Sequence, residues 1–193
     1  MEWFDIVDEN GEPTGETVER SFAHRNGIRH RTAHVWIFRR TGETMEILLQ
    51  KRADNKDSFP GCYDISSAGH IPAGTDYIPS ALRELEEELG LTVRADQLEY
   101  CGIKQVAADD CFHEIPYHDR QVTKIFLLRY APEMGEFRLQ EEEVSEIRWM
   151  DFARCMEQVR DNSFRHCIDL QELELLAEYL WESPGADSPQ RTG

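Results

Sequence analysis

Residues 83–91 read Arg-Glu-Leu-Glu-Glu-Glu-Leu-Gly-Leu, so that Glu84, Glu87 and Glu88 stand at i, i+3 and i+4. Wound into a helix, this spacing projects three carboxylates from one face. Like charges so close repel, and a solvated helix ordinarily relieves them with interspersed lysines; this stretch has none. One reading is a solvated acidic face on an acidic chain. The other is a cation site: hard divalent ions take oxygen ligands, which points to Mg²⁺ or Mn²⁺. Arg83, beside the cluster, is able to grip one carboxylate bidentately and fix its rotamer.

The carboxylates need a helix, and the pattern supplies one. Ile78, Ala81, Leu82, Leu85 and Leu89 share a face, Pro79 suits a first turn, and Gly90 suits the stop after the last. Upstream, 64–67 reads as a short strand ending at Gly69, and the loop 69–74 returns the chain so that backbone groups near Gly69 face the same cations. Further strands are expected over 4–8, over 16–20 as its hairpin partner, over 34–38, where β-branched and aromatic residues concentrate, and over 45–50 beyond the Thr41-Gly42 turn. A loop over 54–63 carries Pro60-Gly61. Two more strands follow over 122–130 and 144–150, then a closing helix whose Ile168, Leu170, Leu173, Leu176 and Leu180 repeat near 3.6. This order predicts an α/β fold with a mixed sheet sandwiched between helices. The length sets 1–182 as one domain, with 183–193, rich in Ser, Pro and Gly, as a disordered tail.

With 21 basic and 38 acidic residues in 193, the net charge is −17. Such a surface repels polyanions, which excludes nucleic acid as a partner; a phosphorylated small molecule stays admissible, because a bound cation reverses the field locally. Five cysteines, odd in number and without a C-x-x-C pair, argue against a disulfide framework or zinc knuckle and fit a reducing compartment. The amino terminus lacks a signal pattern, and no apolar run approaches the ~20 residues that cross a bilayer, so the expectation is a cytoplasmic protein without a membrane partner.

Gly69 followed by Arg83-Glu84-Leu85-x-Glu87-Glu88-x-Gly90-Leu91 resembles the Nudix box, G-x5-E-x7-R-E-U-x-E-E-x-G-U with U apolar. The spacing agrees, but Thr75 stands where the family has its first glutamate, a residue that usually buttresses the box arginine. The resemblance implies an α/β/α sandwich and attack of water on a diphosphate joined to a moiety X, with Mg²⁺ or Mn²⁺ bound. It implies Glu87 and Glu88 as principal metal ligands, Glu84 as a further ligand or part of the base system, and the Gly69 carbonyl as a possible member of the metal shell. Residues 4–8, 27–31, 34–37, 50–52 and 64–70 also resemble the type 1 isopentenyl-diphosphate isomerase branch. True isomerases need a cysteine just before the glycine-histidine pair and a glutamate in a later strand; here the positions are Ala68 and Gln121, neither able to carry a proton. Hydrolysis is therefore expected over isomerisation, while a non-catalytic sensor of a diphosphate metabolite is a third reading, motivated by Thr75 and Gln121.

His30 and His70 align with metal-binding positions of the isomerases, which implies a second metal site or contact with substrate phosphate; a structural role is the alternative, and is the expectation for His24 and His34. Arg29, Arg31, Lys51 and Arg52 are candidates for phosphate binding in a chain short of positive charge. Glu84 and Glu143 are preferred as general base over Glu114, Glu141 and Glu142. Cys62 and Cys111 are expected to be inert thiols and Trp36 and Trp149 to fill the core. The expected partner is a small-molecule nucleoside or prenyl diphosphate, and a homodimer is admissible through an apolar edge strand near the amino terminus. X is unspecified, since pocket specificity rests on a few loop side chains.

Overall fold

The structure, a computed structural model, describes residues 2–130 and 134–182. Strand β1 (Trp3–Val7) pairs antiparallel with β2 (Pro13–Glu19), forming a separate two-stranded hairpin. Helix α1 (Arg20–Asn26) follows, capped by the Glu19 carboxylate, then β3 (His30–Thr41), β4 (Thr44–Arg52), β5 (Tyr63–Asp64), β6 (Ser67–His70) and α2 (Tyr77–Leu89). The long hairpin β7 (Leu98–Phe112) and β8 (Ile115–Arg129) precedes β9 (Val144–Asp151), α3 (Phe152–Arg160) and α4 (Leu170–Glu182).

The main sheet runs β5-β4-β3-β8-β7, with β6 also on β3 and β9 also on β4. β3 and β8 are parallel and the other pairs antiparallel, so the sheet is mixed as expected. Its alternation is exact in the core. Val35 and Ile37 of β3, Leu48 of β4 and Phe126 and Leu128 of β8 meet Ala81, Leu85 and Leu89 of α2. The intervening Trp36, Phe38, Ile47, Ile125 and Leu127 meet Phe152, Cys155 and Val159 of α3 and Leu173 and Leu176 of α4. Period-2 strands with both sides apolar must be covered on both sides, and the sandwich follows.

β3 and β4 pair only near their connecting turn, Phe38 opposite Ile47, and then diverge. Segment 63–70 fills the split, β5 on β4 and β6 on β3. Ser66, fully buried, closes the junction: its hydroxyl donates to the Leu48 carbonyl (2.6 Å) and accepts from the Ile37 amide (2.8 Å). This wedge delivers Gly69 to α2. At the other end of α2, Gly90 adopts φ +69°, and a side chain there would collide with Arg138, whose amide donates to the Leu89 carbonyl.

Three elements were not expected from the sequence: α1, β7 and α3. In β7 the register shifts between Tyr100 and Gly102, and this bulge breaks the period-2 pattern that identifies a strand. The tail expected to be disordered lies outside the described residues.

Helix α4 is tied to the sheet by one buried carboxylate. Glu172, 2% exposed, accepts from Trp36 Nε1 (2.8 Å) and Lys104 Nζ (3.0 Å) and meets His34 Nδ1 at 2.9 Å. Burial alone would raise its pKa, but His34, Lys104 and Trp36 together hold it down at about 2. A carboxyl depressed on folding stabilises above its unfolded pKa and loses that contribution as pH falls through the folded value. Glu172→Gln should therefore cost roughly 2–4 kcal/mol at pH 7, with the difference from wild type shrinking between pH 4.5 and 2; urea unfolding at pH 7, 5 and 3 checks this.

Candidate active site

A cleft of about 530 Å³ is lined by the first half of β3, β6, the middle of β7, the first half of β8, α2 and the start of α4. Glu84, Glu87 and Glu88 of α2 all line it, with Gly69 of β6. Their environments differ. Glu88 is buried and accepts from the Ser67 hydroxyl (2.8 Å); burial lifts its carboxyl to about 8. Glu84 is half-buried, lies against Gly69, and is also raised by burial; Glu87 is exposed. A Cβ on Gly69 would collide with the Glu84 side chain, so glycine here is required by close approach.

Three oxygen donors, one deeply buried and held protonated by desolvation, are what a divalent cation would compensate: the donor set fits a hard metal ion. Arg83 touches the cluster differently from the expected bidentate grip. Its Nη2 donates to Glu84 at 2.5 Å, its Nε lies 3.9 Å from Glu87, and that Nε has no hydrogen bond. Thr75 does not reach Arg83; its hydroxyl donates to the Pro72 carbonyl and its own carbonyl accepts from Arg31 (2.8 Å).

The sequence-derived phosphate ligands divide. Arg52 and His70 line the cleft. Arg29, Arg31 and Lys51 are not among the residues that line it. Arg31 is buried in a pair with Asp5 (2.9 Å), and Lys51 faces the exposed Glu146 of β9 (3.9 Å). In their place the fold brings Arg20, Lys56 and Lys104 to the cleft. Glu143 does reach it, paired with Lys56, whereas Glu114 at the β7–β8 tip and Glu141 and Glu142 in the turn before β9 do not. Asp119, two residues before Gln121 on β8, also lines the cleft, pushed up to about 6 by burial. Ala68 and Gln121 are both cleft residues; Gln121 donates to Asp119 (2.6 Å).

Beside the cleft, His24 of α1, His30 of β3 and His70 of β6 bring one ring nitrogen each within 4.8 Å of one another. All three Nε2 atoms are buried without a hydrogen bond. His24 Nδ1 and His30 Nδ1 face the carbonyls of Arg20 (3.0 Å) and Ile28 (2.9 Å). A carbonyl only accepts, so the Nδ1 atoms of His24 and His30 carry the protons, which leaves their Nε2 lone pairs free for a ligand. Phe4 stacks on His30 and His70, and Tyr117 on His24. Burial lowers the pKa of all three histidines, which favours the neutral, metal-binding form. The set fits a borderline divalent transition metal, and His24 belongs to it together with the two histidines the sequence singled out. His34 lines the cleft through its contact with Glu172. The five cysteines are free, Trp36 is fully buried with its N–H on Glu172, and Trp149 packs against the core beneath Arg39.

Co²⁺ added to the chelator-treated protein should give visible ligand-field bands and raise Tm, and His70→Ala should lose the bands. Unchanged bands in that variant would contradict the assignment.

Residues 28–168 match the NUDIX domain family. Nudix hydrolase 3 of Arabidopsis thaliana is 43% identical over 154 residues, which cover 78% of this chain and 19% of that protein. A Nudix hydrolase of Clostridium acetobutylicum is 35% identical over 143 residues, 74% of this chain and 66% of that protein. The chain thus spans about a fifth of the first relative and just under two thirds of the second. Among solved structures, a Deinococcus radiodurans protein superposes with a TM-score of 0.63 at 18% identity, covering 92% of this chain and 98% of that one. The family model thus covers well over half of the chain, and the chain belongs to the NUDIX domain family.

Proposed function

We propose that this chain is a divalent-metal-dependent hydrolase that cleaves the diphosphate bond of a small-molecule nucleoside or prenyl diphosphate, with Mg²⁺ or Mn²⁺ as the metal. The observation that carries the reading is the meeting, in one cleft, of Glu84, Glu87, Glu88 and Gly69 with the cations Arg20, Arg52 and Lys56. Acidic and basic groups so divided suit a ligand that is itself anionic and is bound partly through metal.

Glu84, Glu87 and Glu88 would hold the metal, with the Gly69 carbonyl as a further donor. When bound, it neutralises phosphate charge and lowers the pKa of water. The chain's own groups do the rest. Arg52, whose guanidinium is fixed by Ser58 (3.1 and 3.2 Å) and Asp64 (3.3 Å), and Lys56 present positive charge to phosphate oxygens. Glu143 is the base candidate that such binding would free, since a phosphate taking Lys56 releases its carboxylate. Glu84 is the alternative, already close to Arg83. Arg83 limits the mutual repulsion of Glu84 and Glu87.

Isomerisation is less well supported: Ala68 supplies no thiol where the branch resembled by the sequence needs one, although Asp119 does put a carboxylate near Gln121.

The reading is tested by phosphate release, with coupled phosphatase, across nucleotide sugars, dinucleotides, nucleoside di- and triphosphates, coenzyme A and isopentenyl diphosphate. Release should require Mg²⁺ or Mn²⁺, vanish in EDTA and fall at least about 100-fold in Glu87→Gln/Glu88→Gln, the scale of a lost electrostatic group. Turnover that survives EDTA contradicts it, and silence joined with deuterium uptake into isopentenyl diphosphate from D₂O would favour isomerisation.

A further inference from the structure

The sheet face that continues the cleft away from α2 carries a connected row of polar side chains between apolar ones such as Ala68, Val106 and Ala108. Thr32 and His34 alternate with the buried apolar residues of β3 and lie on the α4 side, as do Gln121 and Thr123 on β8. Thr32 bonds Gln121 (3.2 Å) and Thr123 (2.7 Å). Next to them Lys104 of β7 donates to Asp169 (2.6 Å) and Glu172 (3.0 Å), and Glu172 engages His34. These contacts are not all the groups can make. Lys104 has three donors and uses two, and His34 Nε2 has no protein partner among the described residues. Both residues line the cleft.

We propose that His34, Lys104 and Glu172 form a recognition subsite for the moiety X, and that X is a hydroxylated, sugar-like group rather than a prenyl chain. The inference rests on the hydrolase reading above and narrows it. A hydroxyl both donates and accepts, so it can accept a hydrogen bond from the free Lys104 N–H or meet His34 Nε2 while water leaves. An alkyl chain over the same surface strips water from these groups and returns nothing, which a site built to hydrogen-bond its ligand rejects strongly. Glu172 contributes by position: clamped between Trp36, His34 and Lys104, it holds the last two in place and keeps Lys104 charged.

The experiment compares kcat/KM for ADP-ribose and UDP-glucose with that for geranyl diphosphate, in wild type and Lys104→Met. Wild type should prefer at least one of the hydroxylated substrates by 100-fold or more. Lys104→Met should reduce that preference at least tenfold, chiefly through KM for the hydroxylated substrate. Turnover of geranyl diphosphate within threefold of both others overturns the subsite, as does a folded Lys104→Met protein with unchanged preference; if that variant does not fold, the wild-type ratio alone decides. Metal-dependent release from geranyl diphosphate only would leave the hydrolase standing and sink the subsite. No release from any of the three, and none from the wider panel, sinks both.

Discussion

The cluster of Glu84, Glu87 and Glu88 is the constraint around which the site is arranged. Three carboxylates within two helical turns repel, and burying one of them adds a desolvation cost that in the protein alone is met by protonation, with Glu88 lifted to about 8. Arg83 offsets part of this for Glu84 and Glu87, while the Glu88 carboxylate accepts from the Ser67 hydroxyl. A helix with this face is retained at a cost to stability, and the compensation that the geometry invites is a cation. The rest of the molecule is arranged so that the carboxylates can meet a ligand without the helix losing its hold on the sheet: Ala81, Leu85 and Leu89 stay buried on the adjoining stripe.

What gives the cluster a site, rather than a surface, is the divergence of β3 and β4. The wedge of 63–70 brings Gly69 beneath Glu84 and places Ser67, His70 and Ala68 along the same wall. Because β3 is central and parallel to β8, its first residues lie beside Gln121 to Ile125 in the middle of β8, and β7 adds Lys104 opposite Thr123. The helix that carries Glu172 closes the far side. One end of the cleft is thus suited to metal and phosphate and the other to hydrogen bonding.

The parts of this arrangement that follow from local pattern could be read from the sequence. The spacing of Glu84, Glu87 and Glu88, the apolar stripe of α2, its stop at Gly90 and the strong β3 segment all depend on neighbours within a few residues. The parts that depend on pairing could not. Lys104 and Glu172 are 68 positions apart, and Arg20 and Lys56 gave no sign that they share a cleft. Arg31 and Lys51 looked equivalent to Arg52 as basic residues beside strands, yet only Arg52 emerges at the strand end that opens on the cleft. His24 reads as structural in the sequence, and it is α1, a seven-residue helix that the apolar pattern does not show, that carries this ring to His30 and His70.

The most direct test of the claim that the acidic cluster is a cation site is metal binding itself, without turnover. Mn²⁺ binding followed by electron paramagnetic resonance at pH 7.5, in wild type and Glu88→Gln, should show a site in wild type weakened at least about tenfold by the substitution, with the variant still folded and its histidine cluster intact. Equal Mn²⁺ affinity in the two proteins, or none in either, would contradict the assignment of Glu84, Glu87 and Glu88 as the metal centre.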